Sequence, residues 1–213
     1  MIDTKPVLNR YADLSLRDRV HLLLRLKTCP WERILENFPR AESIMDLGCG
    51  QGLFINLLDL RGYGYKKFIG IDLDEKKIRV AQGMKNDHVS FFTGNIFDFK
   101  DRAPVITIFD MLYLLPFLRQ RELITRAYNL LPPEGYLVIK EIDKKPLWKF
   151  LFNILQESIS VKLLRVTLGN GFYFNSEAEL RKILEDTGFK VVIKYLHKGY
   201  FHPHILYLCQ KPH

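Results

Sequence analysis

The chain has 213 residues, 47% of them hydrophobic, and 32 Lys and Arg against 24 Asp and Glu give a net charge of +8. That length can bury one sizeable core and is short for two. No stretch approaches the ~20 uninterrupted apolar residues of a membrane span, and the opening MIDTKPVLNR lacks the apolar core of a secretory signal; the expectation is a soluble cytoplasmic protein with no transmembrane segment. Cys29, Cys49 and Cys209 are widely spaced and form no CxxC pair, which predicts reduced thiols and no metal site. The basic residues are scattered, so a solvated surface is favoured over a nucleic-acid stripe, and nucleic acid stays a possible partner that is not favoured.

Residues 1–40 read as a helical flank or lid. Ser15 with Asp18 caps a helix over Leu16 to Lys27, and Pro30 followed by Trp31, Ile34, Leu35 and Phe38 gives a second apolar stripe, stopped by Pro39. From Ser43 short apolar runs alternate with helical stretches, the pattern of repeated βαβ units. Strands are expected at Ser43 to Leu47, Lys67 to Asp72, Val89 to Thr93, Val105 to Phe109, Tyr136 to Ile142, Lys190 to Leu196 and His204 to Cys209. Between them, Asp74 caps Glu75 to Met84, and Leu123, Ile124, Ala127, Leu130 and Leu131 form one helix face before Pro132. Ser176 and Glu179 make a capping box, with Leu180, Ile183 and Leu184 inward and Gly188 as the stop. Pro146 to Phe174, rich in Leu, Phe and Ile, interrupts this rhythm after the fifth strand. It reads either as core-packing helices or, from its place at a strand's carboxyl end, as a substrate cover.

The chemistry concentrates in Asp46-Leu47-Gly48-Cys49-Gly50-Gln51-Gly52, a strand end, a glycine turn and a helix start in one piece. The glycines allow tight turning and close approach, and the helix start offers N–H groups to an anion. A second strand ends in Asp72, twenty residues after Gly52, placed to accept both hydroxyls of a ribose. The spacing is GxGxG with an acid before it rather than the dinucleotide GxGxxG, so a nicotinamide-dependent dehydrogenase shares the Asp72 logic but not the turn. A carboxylate that merely caps a turn is the bland alternative for Asp46 and Asp72, and their joint placement after consecutive strands argues against it.

These motifs resemble those of class I S-adenosylmethionine-dependent methyltransferases over about residues 41 to 210. The resemblance implies a three-layer, doubly wound α/β sandwich around seven mostly parallel strands with the last antiparallel, and S-adenosylmethionine as cofactor. It implies that the backbone of Asp46 to Gly52, including Gly48, Cys49 and Gly50, holds the methionine amino and carboxylate groups, that Asp72 binds the ribose, and that Leu73, Asn95 and Ile96 lie at the adenine. Many members carry Asp where this chain has Asn95. Asp110 falls beside the methyl group, with a backbone-satisfied strand-end acid as its equal competitor. Tyr113 stands where small-molecule members often carry His. Neither an NPPY-type run nor a cytosine-directed Cys nucleophile is present, which disfavours two nucleic-acid classes. The candidates for moving a proton are Tyr113, Glu141 and His202, the last from a His197, His202 and His204 group that is otherwise read as incidental. Tyr11 and Tyr173 reach toward the site or, on the preferred reading, pack.

The expectation is one methyltransferase domain over residues 1–213: a flank at 1–40, a cofactor core at 41–143, an insertion at 144–174 and a closing helix and strand pair at 175–213. Its acceptor would be small and partly hydrophobic. An RNA methyltransferase and a non-enzymatic S-adenosylmethionine-binding partner protein are the alternatives.

Overall fold

The structure is a computed structural model and describes residues 4–11, 14–84, 86–144, 172–200 and 202–213. Seven strands among them form one sheet in the order β3-β2-β1-β4-β5-β7-β6. Here β1 is Ser43–Leu47, β2 Lys67–Asp72, β3 Val89–Thr93, β4 Val105–Phe109, β5 Tyr136–Ile142, β6 Lys190–Tyr195 and β7 His204–Gln210. The pairings are parallel except around β7, which runs antiparallel to both β5 and β6. β4 is buried at all five positions and β1 at four of five, as continuous apolar runs covered on both faces should be.

One face packs against α1 (Thr4–Asn9), α2 (Leu16–Thr28), α3 (Trp31–Glu36), α4 (Leu53–Leu60) and α5 (Glu75–Gln82). The other packs against α6 (Phe117–Leu130) and α7 (Glu177–Thr187). The caps read from sequence form as hydrogen bonds: Ser15 Oγ accepts from Asp18 N, Asp74 Oδ1 from Lys76 N and Lys77 N, and Ser176 and Glu179 close a capping box. Element ends move by a residue or two: α5 stops at Gln82 rather than Met84, and β6 at Tyr195 rather than Leu196.

The expected insertion Pro146 to Phe174, with Trp148, lies outside the described residues except for Phe172, Tyr173 and Phe174. Those three are pinned at the carboxyl edge of the sheet. Tyr173 N donates to the Tyr113 carbonyl at 2.7 Å, and Gln120, fully buried on α6, donates to the carbonyls of both Tyr173 and Leu115. Between β1 and β4 the order of strands reverses direction, and the crevice outside the carboxyl ends at such a point is where doubly wound sheets bind ligands.

Candidate cofactor and acceptor site

At this crevice the end of β1 and the end of β2 are tied into one knot. The amides of Gly48 and Cys49 both donate to the Ile71 carbonyl, at 2.8 and 3.0 Å. Asp72 accepts from Gly50 N at 2.8 Å through one oxygen and from Asp74 N at 2.9 Å through the other. A carboxylate offers about four lone-pair sites, so two remain for a ligand. Gly52 caps α4 with φ 75°, and a Cβ there would stand 2.8 Å from the Phe91 ring. A Cβ on Gly50, by contrast, would meet only the Lys77 side chain, at 4.0 Å, so the turn is open on that side. Tyr11 of the N-terminal flank is 2% exposed and donates its hydroxyl hydrogen to the Gln51 carbonyl, which makes it a packed brace of the turn.

The amides of Gly48, Cys49, Gly50 and Gly52 are all used inside the protein, the last by the Cys49 carbonyl, so those four amides do not greet an anion. What this part of the edge presents is carboxylates. Asp46 is buried and accepts from Thr107 Oγ1 at 2.6 Å; burial lifts its carboxyl to about 7, against the lowering effect of that hydrogen bond. With Asp72 and Asp110, acids stand at the ends of β1, β2 and β4. That set of acceptors suits a ligand carrying an ammonium and a sulfonium, with a nucleoside on the β2 side, and so fits S-adenosylmethionine.

The remaining nucleoside-side residues take simple places. Leu73 is 63% exposed beside Asp72. Asn95 is spoken for locally, because its side-chain oxygen accepts from Phe97 N at 3.1 Å and forms a turn, with Ile96 inside that turn.

Beyond β1 the edge changes character. A Cβ on Gly48 would come within 2.9 Å of Met111, so the glycine turn and the exit of β4 touch. Asp110 there has φ 53°, a left-handed backbone that costs a non-glycine residue of order 1–3 kcal/mol. Its carboxylate receives Lys140 Nζ at 2.5 Å and Arg25 Nη2 at 2.8 Å. Burial opposes its charge, yet Lys140 and Arg25 outweigh burial and hold the carboxyl below its ordinary range. Neither Lys140 nor Arg25 was legible as a site residue, although a lysine inside the apolar run of a central strand is itself a signal, since such a cation is buried only when paired.

The structure brings two of the three proton-moving candidates together: Tyr113 and Glu141 line one small cavity at the exit of β5, and His202 does not line it. Alternation along β5 sends Lys140 to the α2 face and Glu141 to the α6 face. Glu141 accepts from Leu112 N at 2.9 Å and Met111 N at 3.2 Å, capping a short 3₁₀ turn, Leu112–Leu114; burial pushes its carboxyl up to about 8. Tyr113 is buried in that turn, stacked on Phe174 at 4.9 Å between ring centres. His202 is buried on the α2 side beside His204, with ring centres 5.7 Å apart. Among the described residues no group of three or more His, Cys, Asp or Glu could hold a metal ion, and no helix is long and apolar enough to cross a membrane. The three cysteines are free and buried.

Sheet order, glycine turn and strand-end acid together define the class I S-adenosylmethionine-dependent methyltransferase fold. The family model described as "Methyltransferase domain" matches residues 10–194, and the chain belongs to that family. No curated protein sequence matches the chain. Among solved structures it is similar to a SAM-dependent methyltransferase from Archaeoglobus fulgidus, with 18% identity, 90% of this chain and 99% of that one covered, and a TM-score of 0.69. It is similar to the chain complexed with the Haloferax volcanii Trm112 methyltransferase activator, with 16% identity, 89% and 92% covered, and a TM-score of 0.71. The magnesium protoporphyrin IX methyltransferase of Synechocystis, solved with bound SAH, shares 19% identity over 97% and 93%, with a TM-score of 0.61.

Proposed function

We propose that the chain, acting as a single domain, transfers the methyl group of S-adenosylmethionine to a small, partly hydrophobic acceptor. The observation that carries this is the knot in which Asp72 binds Gly50 N and Asp74 N while keeping acceptor capacity for two ribose hydroxyls. Asp72, Leu73, Asn95 and Ile96 would hold the nucleoside, and Asp46, the Gly48-Cys49-Gly50 turn and Asp110 the amino-acid end.

The cofactor's sulfonium supplies an electrophilic methyl group, so the protein's work is to align a nucleophile and exclude water. Asp46 and Asp110 would offer carboxyl oxygens to the ammonium of the ligand. Met111 packs on Gly48 and fixes the spacing between turn and β4. Tyr113 and the aromatic residues Phe172 and Phe174 give the adjoining rim an apolar lining, which supports a partly hydrophobic acceptor. Glu141 is committed to capping the 3₁₀ turn, which leaves Tyr113 and His202 as the candidates to take a proton if the acceptor must lose one.

Calorimetry with S-adenosylhomocysteine and NAD tests the reading. The expected result is binding of the first and not the second, with a stabilisation of about 2.7 kcal/mol at 100 times the dissociation constant. Absence of binding by folded protein would sink it.

A further inference from the structure

Helix α2 lies across the carboxyl edge of the sheet. Tyr11, which leads into it, is hydrogen-bonded to Gln51 in the turn after β1. Further on, Arg25 reaches Asp110 at the exit of β4, and the Thr28 carbonyl meets His204 at the start of β7, which is antiparallel to β5 and so begins at the same edge. Leu22 and Leu26 pack into the core beneath the helix. Its opposite side carries Leu16, Val20 and Leu24, 80%, 48% and 51% exposed, at the spacing that aligns side chains in one stripe. Arg19 and Lys27 are exposed on that same side.

A second apolar element rims this edge from the other face of the sheet. Helix α6 opens just after the exit of β4, and Pro116, Phe117 and Leu118 at its start are exposed, Leu118 at 77%, with Arg121 exposed one turn on. Single exposed apolar residues are ordinary; an aligned stripe and a second cluster on one edge of a molecule call for an account. Arg19, Lys27 and Arg121 are engaged in no ion pair among the described residues. The one acid of α2, Asp18, is held at the helix start by Ser15 Oγ at 2.6 Å.

We propose that this edge docks on an anionic lipid surface, with α2 lying in the headgroup region and the start of α6 touching down beside it. An apolar stripe flanked by cations is the pattern with which a helix holds an interface, its leucines entering the acyl boundary while Lys and Arg meet headgroup phosphates. The two elements pack on opposite faces of the sheet, so a broad flat partner reaches both, where a single peptide in a groove reaches one. A second copy meeting the same face would bring two sets of Arg19, Lys27 and Arg121 together, a like-charge contact. The net charge of +8 adds attraction at longer range. Docked in this way, the carboxyl edge faces the lipid. The inference does not depend on the methyl-transfer reading.

The test is flotation of the full chain, without cofactor, on vesicles of phosphatidylcholine and on vesicles of equimolar phosphatidylcholine and phosphatidylglycerol. The expected result is binding to the anionic vesicles that weakens with salt yet persists in part, because apolar contact is not screened. Arg19→Ala/Lys27→Ala should lose roughly tenfold or more in partitioning, whereas Lys190→Ala, at the opposite edge of the sheet, should lose little. Leu16→Ser/Leu118→Ser should also bind weakly, at an unchanged melting temperature, and Val192→Ser, an exposed apolar position on β6, should bind as wild type does. Wild type that fails to float with the anionic vesicles overturns the proposal and leaves the face to a protein partner. Flotation of Leu16→Ser/Leu118→Ser equal to wild type overturns it in favour of diffuse charge attraction. A melting temperature lowered by several degrees in that variant overturns it because the leucines are then packed within the chain. A dimer in sedimentation velocity that the same substitutions dissolve assigns the face to a second copy instead.

Discussion

The two halves of the carboxyl edge are built on opposite plans. Over β1 and β2 the site is made by neighbours in sequence: seven residues from Asp46 to Gly52 supply the turn, and Asp72 closes it through Gly50 N. Over β4, β5 and β7 it is made by side chains that meet only in the fold, Arg25 with Asp110 across 85 positions and Lys140 with Asp110 across 30. The first half is held by backbone hydrogen bonds and glycine geometry, the second by charges taken out of water.

The comparison is broken most forcefully at Lys140. Lys140→Ala leaves Asp110 buried with a single cation and should cost about 3–5 kcal/mol in chemical denaturation. A loss under 1 kcal/mol would mean that the pair is not buried as the fold has it. Asp72→Ala sharpens the other side: two charge-assisted hydrogen bonds at about 1.5 kcal/mol or more each predict a roughly 100-fold or greater loss of S-adenosylhomocysteine affinity, with Asp72→Asn milder. Equal affinity in calorimetry would falsify the ribose assignment.

Gly52→Ala should cost about 2 kcal/mol, because a methyl group there meets the Phe91 ring at 2.8 Å from a left-handed backbone. An unchanged melting temperature would show that the turn relaxes freely. The smallest effect is a pH slope. Burial raises the Glu141 carboxyl from 4.5 to about 8, so between those values the folded chain holds a proton that the unfolded chain has released. The contribution of Glu141 should therefore be full below about 4.5 and fall by at least ~1 kcal/mol as pH rises to 8. Glu141→Gln, which keeps an acceptor for Leu112 N, should flatten that slope; an identical profile for both proteins would remove Glu141 as its source.

These contrasts explain what the sequence disclosed. The strands, caps and glycine turn are local, written in runs such as Ser43 to Gly52 and Ser176 to Gly188, and they form as read. Glu141 was singled out rather than Lys140 because a carboxylate suggests proton transfer. Nothing local says which of two adjacent residues on a strand faces α2, and only the helix packed on that face decides it. Asn95 was read toward the adenine, and the sequence did not announce that its oxygen also accepts from the amide two residues on. Arg25 was not singled out at all, and its contact with Asp110 follows only from where its helix docks.

Gln120 carries a further consequence. Its side chain grips the Tyr173 carbonyl and accepts from Asn175, and Ile142, Tyr173 and Asn175 line one small cavity of about 10 Å³. The chain thus departs from β5 and returns to α7 at one anchored gate. The entropy of closing a chain between fixed ends rises only with the logarithm of its length, about 0.6 kcal/mol per doubling. Each doubling of the span between those anchors would therefore cost little beside the hydrogen bonds that fix its two ends.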